Sequence, residues 1–176
     1  MKKSLWIIFL ILLWFVSPVC ALELKVGDKA QDFSLKDSLG KEYSMESPEM
    51  KGRVLYFNYA DPGSKNMNKH VDDALKADTG LDRKSSYVGF GIANMKASLL
   101  PNFAIAAVVK SKQKETGAII LLDPNYTILN NWGLQNKVSN VVVLDKERIC
   151  RYIHKGKLPQ EEVSRLIEII KEYQIK

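Results

Sequence analysis

The thiols and imidazoles that could carry chemistry in this chain are few: Cys20 and Cys150, His70 and His154. Cys150 stands between Ile149 and Arg151 in a run of alternating character. Read as a regular strand, that run puts Ile149, Arg151 and Ile153 on one face and Cys150, Tyr152 and His154 on the other. A thiol there serves in one of two ways. It packs as a small apolar side chain, or, as the odd cysteine of an exported protein, it forms a mixed disulfide with an external thiol. Met67 and His70, three residues apart, offer a thioether and an imidazole suited to Cu(I). Two ligands are too few, and the sequence has neither Cys-x-x-Cys nor Cys-x-x-x-Cys, so no metal and no cofactor is expected. A serine hydrolase is equally unsupported, because G-x-S-x-G is absent. Asp123 and Asp145 end consecutive strand-like runs and invite a reading as paired carboxylates. Their places in Asp123-Pro124-Asn125 and Asp145-Lys146-Glu147-Arg148 suit turn acceptors better, since an Asp side chain closes a turn through local N–H groups.

One loop joins polar groups to a helix start: Asp61-Pro62-Gly63-Ser64-Lys65-Asn66, after the apolar run Val54-Leu55-Tyr56-Phe57. A helix N-terminus presents free N–H groups, so Asp61, Ser64, Lys65 and Asn66 are candidates for holding an anion or a peptide carboxylate. The plainer alternative is that they only start and cap the helix, with Ser64 as the N-cap.

The N-terminus reads as an export signal. Lys2 and Lys3 precede an apolar block from Leu5 to Val16, and Val19 and Ala21 place small residues before a cleavage point after Ala21. The block is 12 residues long, short of the roughly 18–20 that cross a bilayer, so a retained anchor is disfavoured. Acylation at Cys20 is disfavoured too, because Val19 is bulky for lipoprotein processing. Loss of residues 1–21 leaves 155 of the 176 residues, suited to one domain with one core, and no stable membrane span. It also leaves 24 basic against 20 acidic side chains, a net +4, interspersed along the chain. Such a surface is solvated and disfavours nucleic-acid binding, and a DNA-binding regulator would conflict with export. With one cysteine left, no internal disulfide can form, and stability must come from packing.

The positioning elements follow from local pattern. Residues 22–50 alternate weakly about the turn Asp37-Ser38-Leu39-Gly40 and predict an N-terminal hairpin. Arg53 to Ala60 predicts a buried central strand, and Met67, Val71, Ala74 and Leu75 predict a helix running from Ser64 to Thr79-Gly80. A strand at Ser86 to Ala93, a helix at Asn102 to Lys114 and a strand at Ala118 to Leu122 come next. Thr127 to Leu134 predicts a bent connector or short helix. Strands at Asn140 to Leu144 and Ile149 to Ile153 form a hairpin, and a last helix runs from Pro159 to about Tyr173. The order implies an α/β three-layer sandwich, a central mixed sheet flanked by helices.

The runs Ile119-Ile120-Leu121-Leu122-Asp123-Pro124-Asn125, Trp132-Gly133-Leu134, Ser139-Asn140-Val141-Val142-Val143-Leu144-Asp145-Lys146 and Gly156-Lys157-Leu158-Pro159-Gln160-Glu161-Glu162-Val163 resemble the YtfJ family. That resemblance implies a thioredoxin-like fold, a periplasmic location and no active-site cysteine pair, and it brings no catalytic residues. The chain is more distantly similar to peroxiredoxins and periplasmic disulfide reductases. In those a thiolate sits at the head of the first long helix, where the dipole and free N–H groups lower its pKa, opposite a proline on a loop before a strand. Here the helix start offers Ser64 and Lys65, and Ser139 stands where that proline would be. The expectation is an exported periplasmic binding or accessory module without thiol chemistry. It would present the Asp61 to Asn66 loop and Ser139 to a protein or peptide partner. The alternative is an oxidoreductase using Cys150 with an external thiol partner.

Overall fold

The structure is a computed structural model and describes residues 23–176; the expected export signal lies outside the described residues. Seven strands form one mixed sheet: β1 (Leu35–Asp37), β2 (Glu42–Tyr43), β3 (Val54–Ala60), β4 (Tyr87–Asn94), β5 (Ile119–Asp123), β6 (Asn140–Leu144) and β7 (Cys150–Lys155). Their order across the sheet is β2-β1-β5-β4-β3-β6-β7. The strand β3 lies parallel to β4, and β4 to β5, while β1, β2, β6 and β7 pair antiparallel. Parallel neighbours need crossovers, and α1 (Lys69–Ala77) and α2 (Asn102–Thr116) supply them; α3 (Thr127–Asn131) and α4 (Gln160–Ile175) complete the helices. Among the described residues, no helix is long and apolar enough to cross a membrane.

The apolar run of β3 is buried on both faces, as expected of a central strand. On one face Val54 and Tyr56 meet Val71 and Leu75 of α1, and Val163, Leu166 and Ile170 of α4. Nearby on the same side, Ile105 and Val109 fasten α2 over β5 through Ile120 and Leu122. On the other face Leu55 and Phe57 meet the irregular N-terminal segment and α3. Trp132, fully buried, centres that layer, with its ring 5.4 Å from Phe57 and 6.1 Å from Phe33, both edge-on. Its indole N–H donates to the Gln31 carbonyl at 2.9 Å, satisfying the one polar atom such a ring buries. The N-terminal hairpin exists as β1 and β2, and the Asp37 carboxylate closes its turn by accepting from the N–H groups of Leu39 and Lys41.

The last hairpin departs from regular alternation. Val143 pairs with Tyr152 but Leu144 pairs with Cys150, so Arg151 is an extra residue on β7. This bulge corrects the expected strand faces, because one inserted residue reverses the side chains beyond it. Cys150 falls into the Phe57 layer, whereas Tyr152 packs on the α4 side. Beside it, Asp145 takes the N–H groups of Glu147 and Ile149 and the Arg151 guanidinium at 2.7 Å. Arg148, at φ 69°, turns inward, where its guanidinium donates to the carbonyls of Met45 at 2.7 Å, Met50 at 3.0 Å and Arg53 at 3.1 Å.

Trp132→Ala is expected to cost about 3–5 kcal/mol, the range for emptying a large aromatic site in a core. Urea unfolding of the variant, read as a lowered midpoint at unchanged slope, checks it.

Candidate binding site at the head of the first helix

The loop after β3 is a closed turn. The Asp61 carboxylate accepts from the N–H of Gly63 at 2.7 Å and of Ser64 at 3.0 Å, and from the Ser64 hydroxyl at 3.1 Å. Asp61 and Ser64 are buried by this arrangement, and Lys65 and Asn66 are exposed. The expected helix start at Ser64 is therefore corrected: with the Ser64 side chain committed to Asp61, successive turns continue to Asn68, and α1 begins at Lys69. Of the four candidate residues in this loop, Lys65 and Asn66 are the ones free to meet a ligand.

Asn68 and Ser139, 71 residues apart, meet in the interior. The Asn68 amide donates to the Ser139 hydroxyl and to the Gly156 carbonyl, each at 2.9 Å, and accepts from the Leu158 N–H at 2.8 Å. Ser139 donates in turn to the Asn58 side-chain oxygen at 2.7 Å, and Asn58 donates to Asp72 of α1 at 3.2 Å. The Tyr56 hydroxyl completes the chain with a 2.8 Å bond to the other Asp72 oxygen. Burial raises the pKa of Asp72, opposed by the bonds from Tyr56 and Asn58; burial, with Asp72 beside it, also holds the Tyr56 hydroxyl well above its ordinary value. Ser139 is fully buried within this chain. The expectation that it faces a partner is corrected: it braces the head of α1 from behind.

Cys150 is fully buried, with its sulfur 3.5 Å from the Tyr152 carbonyl, and burial pushes its thiol up to about 12. It lies in a different layer from the α1 head. The His70 ring nitrogen Nε2 donates to the Leu158 carbonyl at 2.9 Å. Asp123 accepts from the N–H groups of Thr127 at 2.7 Å and Ile128 at 3.0 Å and from the Tyr59 hydroxyl, which makes it the opening brace of α3. Asp123 and Asp145 thus act separately, each as a turn acceptor.

A cavity of about 710 Å³ lies between α1 and α2, continuous with the Asp61 to Asn66 loop. Gly89 and Gly91 of β4 form its floor, Leu75 and Val109 its facing walls, and Lys65 and Lys76 part of its rim. Sequence reasoning missed it, although Gly89-Phe90-Gly91 inside a strand pattern is a signal that something approaches the backbone closely. Asn58 and Asn68 were missed as well; a polar residue inside the apolar run of β3 was the available sign.

Asn68→Ala orphans the buried Leu158 N–H, at about 1–3 kcal/mol, and removes the bond to the half-buried Gly156 carbonyl, at roughly 1 kcal/mol. A loss near 3 kcal/mol is expected, measurable by denaturant unfolding, together with faster amide exchange at Leu158.

Comparison with known proteins places these features. A family model for a bacterial protein of unknown function, YtfJ_HI0045, matches residues 25–173. An uncharacterized protein of Haemophilus influenzae is 23% identical over 145 residues, 77% of this chain and 73% of that protein. Among solved structures, a thiol-disulfide oxidoreductase from Bacteroides fragilis superposes with a TM-score of 0.61 at 10% identity, over 80% of this chain and 98% of that one. A thiol peroxidase from Chromobacterium violaceum gives 0.60 at 10% identity, over 85% and 88%. The exposed lipoprotein thioredoxin of Streptococcus pneumoniae gives 0.59 at 17% identity, over 81% and 99%. At such identities the likeness concerns the fold, which is thioredoxin-like. With its family model spanning nearly all of the described domain, the chain belongs to the YtfJ family.

Proposed function

We propose that this protein is an exported, periplasmic thioredoxin-like module that binds a protein or peptide partner at the α1 head and performs no thiol chemistry. The observation that carries the reading is the occupancy of that head. Where a reductase would hold a thiolate, Asp61 closes a turn on Ser64, and Asn68 is bonded to Ser139. Lys65 and Asn66 remain exposed beside the cavity and would form the contact surface. Export is supported by Lys2, Lys3, the apolar block from Leu5 to Val16 and the small residues at Val19 and Ala21. The similar fold of an exposed lipoprotein thioredoxin is consistent with export.

Burial of Cys150 speaks against the single-cysteine alternative, because the thiolate is the reactive species and this thiol stays protonated until about pH 12. The folded protein is expected to label slowly with a thiol reagent at pH 7 and equally slowly near pH 9, and to label fully on unfolding. It should neither reduce insulin nor consume peroxide. Rapid labelling of the folded protein accompanied by turnover would establish the single-cysteine oxidoreductase instead. The same shift has a stability consequence. A raised thiol pKa contributes stability that is complete below the ordinary value of about 8.5 and is lost as pH rises from there toward 12. Cys150→Ala should flatten that alkaline decline, a difference visible in paired unfolding curves at rising pH.

Expressed with its full N-terminus, the protein is expected in the periplasmic fraction with Leu22 as its first residue. N-terminal sequencing checks both the compartment and the cleavage point.

A further inference from the structure

Helix α2 is apolar on two sides. Ile105 and Val109 hold it to the sheet through Ile120 and Leu122, yet Phe103 on the opposite side is 77% exposed, and Leu99, in the turn leading into the helix, is fully exposed. Of the seven large apolar side chains exposed in the described domain, four (Leu99, Leu100, Phe103 and Val108) fall within ten residues, so the exposure is a property of this segment. Apolar residues scattered singly over a surface need no explanation, whereas a cluster of them marks a place of contact.

Helical spacing decides what shares that outer side. Positions i, i+4, i+7 and i+11 form one stripe of a helix, which from Phe103 gives Ala107, Lys110 and Lys114, all exposed. At a rise of 1.5 Å per residue the stripe is about 16 Å long, apolar at its amino-terminal end and cationic at the other. Among the described residues, neither Lys110 nor Lys114 has a carboxylate within salt-bridge distance. From Met95 to Leu122 the sequence holds Lys96, Lys110, Lys112 and Lys114 against one acidic residue, Glu115, which lies 3.5 Å from Lys112. The outer stripe itself carries no acid.

We propose that the outer stripe of α2 and the turn before it dock on an anionic lipid surface. Leu99, Leu100 and Phe103 enter the boundary between headgroups and acyl chains, and Lys110 and Lys114 meet the lipid phosphates. A bilayer supplies both partners to one stripe, an apolar layer beneath a plane of negative charge. A lysine serves both, laying its stem on apolar surface while its ammonium stays at the headgroups. A second copy of this chain meeting the same stripe would bring no carboxylate to the lysines, and a purely acidic peptide would leave Leu99 and Phe103 uncovered. The contact is peripheral, with the helix lying on the membrane. It is separate from the α1 head, so the partner-binding reading of that head and this one can fail independently.

The test is sedimentation of the mature protein with vesicles of phosphatidylcholine alone and of an equimolar mixture of phosphatidylcholine and phosphatidylglycerol. Partitioning is expected to be about tenfold stronger on the anionic vesicles and to weaken as salt is added. Lys110→Gln with Lys114→Gln should weaken it about tenfold, and Phe103→Ser about fivefold. All three side chains are exposed, so the thermal midpoints of these variants should stay at that of the parent. Insertion has its own signal: with Trp132 buried and constant, the emission of Phe103→Trp should shift to the blue on anionic vesicles and become shielded from acrylamide. Absence of vesicle binding, equal binding to both compositions, or binding that leaves the Phe103→Trp emission unchanged would overturn the proposal. So would a concentration-dependent dimer dispersed by Phe103→Ser, which would assign the stripe to a second copy, or full displacement from vesicles by soluble polyglutamate without any emission shift, which would assign it to an acidic protein.

Discussion

A primary amide buried from solvent must find partners for two donors and an acceptor inside the protein, and Asn68 finds them in three residues on two separate segments. Its partners lie in the loop before β6 and in the connection between β7 and α4, so this one side chain ties the start of α1 to both. In a low-dielectric interior each of these bonds is strong when made and costly when missing. The head of α1 is therefore fixed by long-range hydrogen bonds. The start of α1 is thus a structural junction between the loop before β6 and the connection between β7 and α4.

The junction has a counterpart in the uneven covering of the sheet. Below α1 and α4 the packing is continuous from Val54 through Leu166, whereas α2 touches the sheet through a narrow stripe and leaves β4 bare beside it. The helix also carries Phe103 and Val108 exposed outside that stripe, so its apolar side chains are spread over more than one face. Rigidity at the α1 head and openness at the α2 flank lie side by side, and Lys65 and Asn66 sit on the boundary between them.

Much of this architecture was legible in the residues. The apolar runs of β3, β5 and β6, the Pro101 and Pro159 boundaries and the turn acceptors Asp123 and Asp145 carry their signals within a few residues of themselves. The features that escaped depend on distant partners. Ser64 has the chemistry of an N-cap, but Asp61, three residues earlier, takes its N–H and its hydroxyl, and Asn68, at the helix start, spends its side chain on Ser139, Gly156 and Leu158 instead of capping α1. The bulge at Arg151 leaves alternation looking intact while reversing it. The cavity depends on the distance between two helices, which no local pattern encodes.

Arg148 couples a tight turn to remote chain. Its left-handed backbone suits glycine or asparagine, and an arginine there carries strain on the order of 1–3 kcal/mol. The strain is tolerated because the guanidinium collects carbonyls from residues 45 to 53, about a hundred positions upstream. The β6–β7 turn and the segment from Met45 to Arg53 therefore stabilise each other across a large sequence separation, and a carboxy-terminal fragment alone lacks the carbonyls that offset the strain of its own turn.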